Sequence, residues 1–292
     1  MKKLGLLSLL MISTLLNAQD IKKIEADLMK QLEDPALVYG NNKETGKFVE
    51  IRGFKMYVET YGTGEPLLII HGNGGSINNF IYQIPYFSQH YKVIIADSRA
   101  QGKSVDPKDS LTYEMMADDY AALLTEMKID SANVIGWSDG GINGLLLAMR
   151  HPEKVKKLAI TGANLVPDET AVPKEIWDQF RPAKKQLEVK PNKTMQEKGQ
   201  LKLLRLLCDQ PHITDAQLKT ISCPTLVIGG DHDVIKVEHT FHIYSQLAKA
   251  YLWILPNSGH STPLVYKDDF NQRIELFFKT PYRTFDTQAR FF

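Results

Sequence analysis

The chain has 292 residues and 33.1 kDa, with 43% apolar and 24% charged side chains and Lys+Arg 35 against Asp+Glu 34. The apolar share is too high for a disordered chain and too scattered for a polytopic membrane protein. A near-balanced charge gives no field to gather nucleic acid or an anionic bilayer, so nucleic-acid binding is excluded as a first reading, and the length allows one large domain or two ordinary ones.

Residues 1–18 read as a secretory signal: Met1-Lys2-Lys3 is a positive start, 4–16 a mainly apolar run too short for a membrane span, and Asn17-Ala18-Gln19 a cleavage point behind the bulky Leu16. The expectation is an exported protein, periplasmic or secreted, with no lipid anchor and no stable membrane span after signal removal. Its mature part would carry a balance of −1, because Lys2 and Lys3 leave with the signal. Cys208 and Cys223 would then close one bridge, worth roughly 3 kcal/mol, or remain two buried thiols. Two cysteines are too few for a thiolate zinc site.

Residues 19–46 are polar and turn-rich, with a short helix expected over 21–32. Apolar runs at 47–51, 55–60, 66–70 and 92–96 read as strands, and 112–127 as a helix. Thr112 is its N-cap, and Met116, Tyr120, Leu123, Leu124 and Met127 form one stripe. A strand at 133–135, a helix at 140–150 stopped by Pro152, and a strand at 157–161 follow. Residues 166–221 then break the alternation, with five prolines and three helical stretches (174–187, 194–208 and 214–220). Strand and helix resume at 224–229, 237–249, 251–255 and 267–278. Short strands separated by helices imply parallel βαβ units and an α/β fold with helices on both faces of the sheet. The domain division is a core of 19–165 and 222–292, interrupted by a helical cap or lid at 166–221. Ligands bind at the carboxyl edge of such sheets, where this insertion sits.

The strongest local signal is Gly136-Trp137-Ser138-Asp139-Gly140-Gly141, between a predicted strand and a predicted helix. A sharp strand-to-helix turn exposes the Ser138 hydroxyl, glycines at 136 and 140 leave room for it, and the Asp139 N–H faces a developing oxyanion. Serine needs a base, and the base an orienting acid. His260 follows the last predicted strand, and Asp231-His232-Asp233 follows the one before. Asp233, further past its strand, is taken as the acid, and Asp231 as a loop-fixing group. The catalytic set is therefore Ser138, Asp233 and His260. The glycine-rich loop His71-Gly72-Asn73-Gly74-Gly75, read as opening a helix, offers the second oxyanion donor at the Asn73 N–H, with Gly74 its nearest rival. No phosphate-loop spacing is present. Asp139, Trp137 and Gly74 are the expected substrate-binding residues, though Trp137 reads equally well as packing. His239 and His242, i and i+3, lack a third ligand and read as solvated helix positions. Neither a metal nor a cofactor is implied. Met115 and Met116 read as helix packing.

These landmarks, together with Asp97-Ser98-Arg99-Ala100-Gln101-Gly102-Lys103-Ser104 and Gly259-His260, resemble the ordered motifs of the α/β-hydrolase superfamily over roughly residues 47–280. The resemblance implies an eight-stranded, mostly parallel sheet with a cap after the sixth strand, and the chain order Ser, acid, His. Ala100 departs from the family's usual glycine. Ser138 argues against the aspartate-nucleophile dehalogenases and epoxide hydrolases. With Thr161-Gly162-Ala163-Asn164, the elbow is similar to the valacyclovir-hydrolase (biphenyl hydrolase-like) branch. In that branch the residue matching Asp139 helps recognise an amino-acid ester's ammonium; beside that reading stands a plain acid at a helix N-terminus. The resulting expectation is a serine hydrolase cleaving a small-molecule carboxylic ester through an acyl-enzyme. The alternatives are a C–C bond hydrolase or perhydrolase with the same three residues, and a ligand-binding protein of this fold with little turnover.

Overall fold

A computed structural model describes residues 38–106 and 108–284. The signal at 1–18, the helix at 21–32 and the last stretch of the core, 285–292, lie outside the described residues. Period-2 burial organises the centre. In β3 (Glu65–Ile70) Leu67 and Ile69 face one side of the sheet and Leu68 and Ile70 the other, and all four are fully buried. A strand buried on both faces reads as a continuous apolar run, as this one does.

The strands are β1 (Lys47–Ile51), β2 (Phe54–Tyr61), β3, β4 (Tyr91–Ala96), β5 (Ala132–Trp137), β6 (Val155–Thr161), β7 (Thr225–Gly230) and β8 (Ala250–Leu255). They form one eight-stranded sheet in the order β1-β2-β4-β3-β5-β6-β7-β8. β1 pairs antiparallel with β2, and β2 with β4, while every later pairing is parallel. The helices are α1 (Gln83–Phe87), α2 (Tyr113–Glu126), α3 (Asp139–Arg150), α4 (Lys174–Val189), α5 (Met195–Asp209), α6 (Asp215–Leu218), α7 (Val237–Gln246), α8 (Thr262–Val265) and α9 (Lys267–Lys279). One face of the sheet is covered by Tyr120 and Leu123 of α2, Leu145 of α3 and Ile243 of α7. The other is covered by Ile84 and Phe87 of α1 and Phe270, Ile274 and Phe277 of α9. The Thr112 hydroxyl caps α2 by accepting the Met115 N–H at 3.1 Å.

Helices α4, α5 and α6 fill the 166–221 insertion. Thr194 and Glu197 start α5 with a reciprocal capping box. Within the cap, Ala171, Val172, Trp177 and Cys208 form a small apolar cluster with Ile235 of the core. Cys208 and Cys223 are free thiols.

Three local expectations shift. The loop at 71–75 leads into a 3-10 turn (Ile77–Phe80) and then α1, because the Asp97 Oδ1 accepts the Ile77 N–H at 2.9 Å and holds the chain in a tight turn. α7 ends at Gln246, before 249, because Leu247 is already extended and the Lys249 carbonyl accepts the Thr225 N–H at 2.8 Å. The one-turn helix α8 after Ser261 was not anticipated. No helix among the described residues is long and apolar enough to cross a membrane.

The register places the site. Ile70 pairs with Gly136, Trp137 with Thr161, and Gly230 with Leu255, so the loops after β3, β5, β6, β7 and β8 leave one edge together.

Candidate active site

Ser138 occupies the turn between β5 and α3 at φ +58°, ψ −122°, a backbone conformation unusual for any residue but glycine. Its neighbours make the turn possible. A Cβ on Gly136 would lie 2.2 Å from the Gly140 carbonyl oxygen, and one on Gly140 would lie 2.0 Å from that of Ile70. The Ser138 N–H donates to the Thr161 carbonyl at 2.8 Å, tying the turn to β6.

The His260 Nε2 lies 2.9 Å from the Ser138 Oγ, and its Nδ1 lies 2.7 Å from the Asp233 Oδ1. The Asp233 side chain is fully buried and also accepts the Ile235 N–H at 3.0 Å. With Nδ1–H directed at a carboxylate, the Nε2 lone pair faces the serine hydroxyl; that tautomer is assigned from the hydrogen-bond partners. Burial pulls the imidazole pKa down, but the charge and hydrogen bond of Asp233, helped by Asp139, hold it above its usual 6.5. The sequence reading thus named three residues that the fold brings into one chain of hydrogen bonds.

Several groups hold that chain in place. The Asp231 Oδ1 accepts the Ser258 N–H at 3.0 Å, fixing the two loops against each other as expected. Burial disfavours the Asp231 charge, but His232 and the Asn257 and Ser258 amides outweigh it and keep the carboxyl at about 2. The Trp137 Nε1–H donates to the His260 carbonyl at 2.8 Å, so the indole joins the nucleophile turn to the imidazole's backbone. Gly162, at φ +64°, lies under the ring, and a Cβ there would meet the His260 Cε1 at 2.7 Å. Neither contact was anticipated, although both residues stand in stretches singled out from the sequence.

On the opposite side, the 72–75 turn is closed by Gly75 N–H to Gly72 O at 3.1 Å. A Cβ on Gly72 would lie 3.0 Å from that of Ser138. The Gly74 N–H donates to the Gln101 Oε1 at 2.6 Å, so the rival oxyanion donor is occupied. Among the described residues the N–H groups of Asn73 and Asp139 have no acceptor, and Asp139 stands in the first turn of α3, where no intrahelical carbonyl is available. Buried His71 accepts the Ser98 N–H at Nε2 (2.9 Å) and bonds the Gly72 carbonyl through Nδ1 (2.8 Å). Burial lowers its pKa, so it is a neutral brace for the loop. The Asn73 Nδ2 donates to the Asp139 Oδ2 at 2.8 Å and to the Leu203 carbonyl of α5 at 3.4 Å. Burial raises the Asp139 carboxyl to about 6, with the Asn73 hydrogen bond and His260 opposing it.

A cavity of about 580 Å³ opens above Ser138, between the sheet edge and the cap. Ile176, Phe180, Leu203, Leu204 and Leu207 give its cap wall an apolar face. Trp137, Asp139 and Gly74 line it, and Asp139 and His260 are the ionisable side chains among its lining residues. His239 corrects one expectation: it is buried, with its Nε2 accepting the Leu165 N–H at 3.0 Å, because α7 packs it under the chain leaving β6. Burial, and the neighbouring His242, lower it to about 4. His242 instead pairs with Asp215 at 2.8 Å. Among the described residues no three His, Cys, Asp or Glu side chains gather as metal ligands.

The comparisons with known proteins agree with this fold. The family model described as alpha/beta hydrolase fold matches residues 65–212. The chain is similar to the serine hydrolase BPHL of Homo sapiens, 26% identical over 264 residues, covering 83% of this chain and 89% of that one. It is also similar to 2-hydroxy-6-oxo-6-(2'-aminophenyl)hexa-2,4-dienoic acid hydrolase of Metapseudomonas resinovorans, 25% identical over 267 residues, covering 77% of this chain and 87% of that one. A meta-cleavage product hydrolase structure from Pseudomonas fluorescens IP01 superposes with a TM-score of 0.67 at 21% identity, covering 81% and 98%. A sheet of this strand order with a serine at the β5–α3 turn, and a family match that runs from β3 through β6 and into the cap, mean that the chain belongs to the α/β-hydrolase family, as a hydrolase of the serine type.

Proposed function

We propose that this protein hydrolyses a small carboxylic ester through an acyl-enzyme on Ser138. The observation that carries the reading is the pair of contacts, 2.9 Å and 2.7 Å, running from the Ser138 Oγ at the floor of the cavity through His260 to the buried Asp233 behind it. Ser138 attacks the ester carbonyl while His260 takes its proton, and the tetrahedral oxyanion is met by the N–H groups of Asn73 and Asp139. The imidazolium then gives its proton to the departing alcohol. In the second half, water delivers a proton to His260 and attacks the acyl carbon, and Ser138 leaves with that proton. Asp233 orients the ring and stabilises its cation throughout.

Substrate class follows from the lining. It contains no Lys or Arg, so an acyl group with a free carboxylate would enter without a counter-charge, whereas the apolar cap wall suits an uncharged chain. Asp139 suits a cationic amino group close to the reacting carbonyl, in keeping with the likeness to BPHL. The other relative's name specifies a dienoic acid, an anion at neutral pH, and C–C bond hydrolysis of such a molecule fits this cavity less well. Residues 166–221 act as the lid that sets acyl size and sheds bulk water, and residues 1–18 direct export. The test is a panel of p-nitrophenyl esters of increasing chain length beside amino-acid esters, with Ser138→Ala as control. Turnover of short esters that falls about 10⁴-fold or more in the control is expected. Absence of ester turnover, or a control as active as the parent, would overturn the reading.

A further inference from the structure

The turn that carries the Asn73 N–H is held by a residue outside the proton relay. Gln101 sits in the loop after β4, between Ala100 at φ +62° and Gly102 at φ +52°. Its own backbone closes that loop, with Gln101 N–H to Ser98 O at 3.0 Å and Ser104 N–H to Gln101 O at 2.9 Å. The side chain is buried, 5% exposed, and reaches across to the neighbouring loop, where Oε1 accepts the Gly74 N–H at 2.6 Å. Its Nε2 is also buried and has no partner among the described residues. A buried, unpaired amide donor lowers stability, and an apolar side chain of equal length would avoid that cost. The single bond to the Gly74 N–H offsets that cost only in part, so stability alone gives little reason for glutamine at this position.

Its contact does give one. In the 72–75 turn, Gly74 is the third residue, at φ +66°, with Asn73 before it in ordinary negative-φ space, which is the type II arrangement. A bond to the Gly74 N–H fixes the plane of the 73–74 peptide, while the Asn73 side chain is held by the Asp139 Oδ2 at 2.8 Å. Residue 73 is thus clamped from both sides, and open space surrounds Gly74, so no side-chain packing there would do the same work. We propose that Gln101 is a positioning residue for the oxyanion loop: by engaging the Gly74 N–H it keeps the Asn73 N–H aimed at the oxygen of a carbonyl under attack by Ser138. The assignment rests on the serine-hydrolase reading above.

Gln101→Met keeps the length of the side chain and removes both the acceptor and the orphaned donor. With a p-nitrophenyl ester, kcat should fall about 10- to 100-fold while KM stays within about threefold, because the lost interaction belongs to the transition state. The pH profile should keep its midpoint, since the relay is untouched, and the melting temperature should change little, because the lost Gly74 bond and the removed orphan donor oppose each other. Affinity for a phenylboronic acid, which forms a tetrahedral anion on the serine, should weaken by the same factor as kcat/KM. A folded Gln101→Met with kcat within about twofold of the parent, or with KM alone changed, would overturn the proposal. Should that variant fail to fold, Gln101→Asn, which withdraws the amide by one methylene, is read by the same two outcomes. Fluorophosphonate labelling of the parent separates the two levels. An unlabelled parent ends the serine-hydrolase reading and this proposal with it, whereas a labelled parent with fully active Gln101 variants ends this proposal alone.

Discussion

Replacing Gly162 by alanine puts one methyl group against the base. A Cβ at that position would lie 2.7 Å from the His260 Cε1, 2.9 Å from its Nδ1 and 3.5 Å from the Asp233 Oδ2. Restoring ordinary contact needs a displacement of the ring by about 0.7 Å or more. The ring spans two hydrogen bonds, 2.7 Å to Asp233 and 2.9 Å to Ser138, so a shift that relieves the methyl stretches at least one of them. The expected loss in kcat is about 100-fold, the scale of an ångström's misplacement at a reacting group. Alanine at φ +64° adds a backbone penalty, and with crowding the fold should lose about 1–3 kcal/mol. Ester kinetics and a urea melt of the same preparation read the two effects separately. A folded Gly162→Ala that keeps kcat within threefold would refute the placement of His260 over Gly162.

Three further outcomes follow from the same site. kcat/KM should fall as pH drops through the His260 pKa, because only neutral imidazole accepts the Ser138 proton. Burial lowers that pKa, but Asp233 more than restores it, so the acid limb should lie above 6.5, and a rate flat from pH 5 to 8 would contradict the relay. Asp139→Asn should reduce any preference for amino-acid esters and also stabilise the fold. Burial raises the folded carboxyl from 3.8 to about 6, so its stabilising protonated state is fully present below 3.8 and is lost as pH rises through 6. The gain should therefore be on the order of 2–3 kcal/mol above pH 7 and vanish near pH 3, and chemical denaturation at several pH values checks its slope. Ala100→Gly relieves a β-carbon at φ +62° and should raise the melting temperature by about 2–4 °C, if about 1 kcal/mol is recovered. A lower melting temperature would mean that methyl packing outweighs the backbone strain.

The sheet was legible because its evidence is local: apolar runs such as Leu67–Leu68–Ile69–Ile70 can be buried on both faces only in a central strand, and the intervening 3.6-period stripes specify crossover helices. Ser138, Asp233 and His260 were legible for a related reason, since parallel strands deliver the loops that follow them to a single edge. Less accessible were contacts between loops distant in sequence. Nothing near Gln101 in the chain points to Gly74, and nothing near Trp137 shows that its indole N–H is taken by the His260 carbonyl. Gly162 stood in a quoted stretch, but a glycine's reason is the atom its missing side chain would strike, and that atom lies 98 positions away in the neighbouring ring. The one-turn helices α1 and α8 carry prolines and too few residues to build a periodic signal. His239 was misjudged because a histidine on a helix shows no sequence mark of what packs over it.

The claim beneath all of this is that one hydroxyl, out of every serine in the chain, has been made nucleophilic. Intact-mass and peptide analysis after brief exposure of the folded protein to a fluorophosphonate tests it without knowledge of the natural substrate. A single adduct on the peptide carrying Ser138, formed faster as pH rises through the His260 titration and absent in His260→Ala, is the expected result. An unmodified folded protein, or an adduct on another residue, would contradict it.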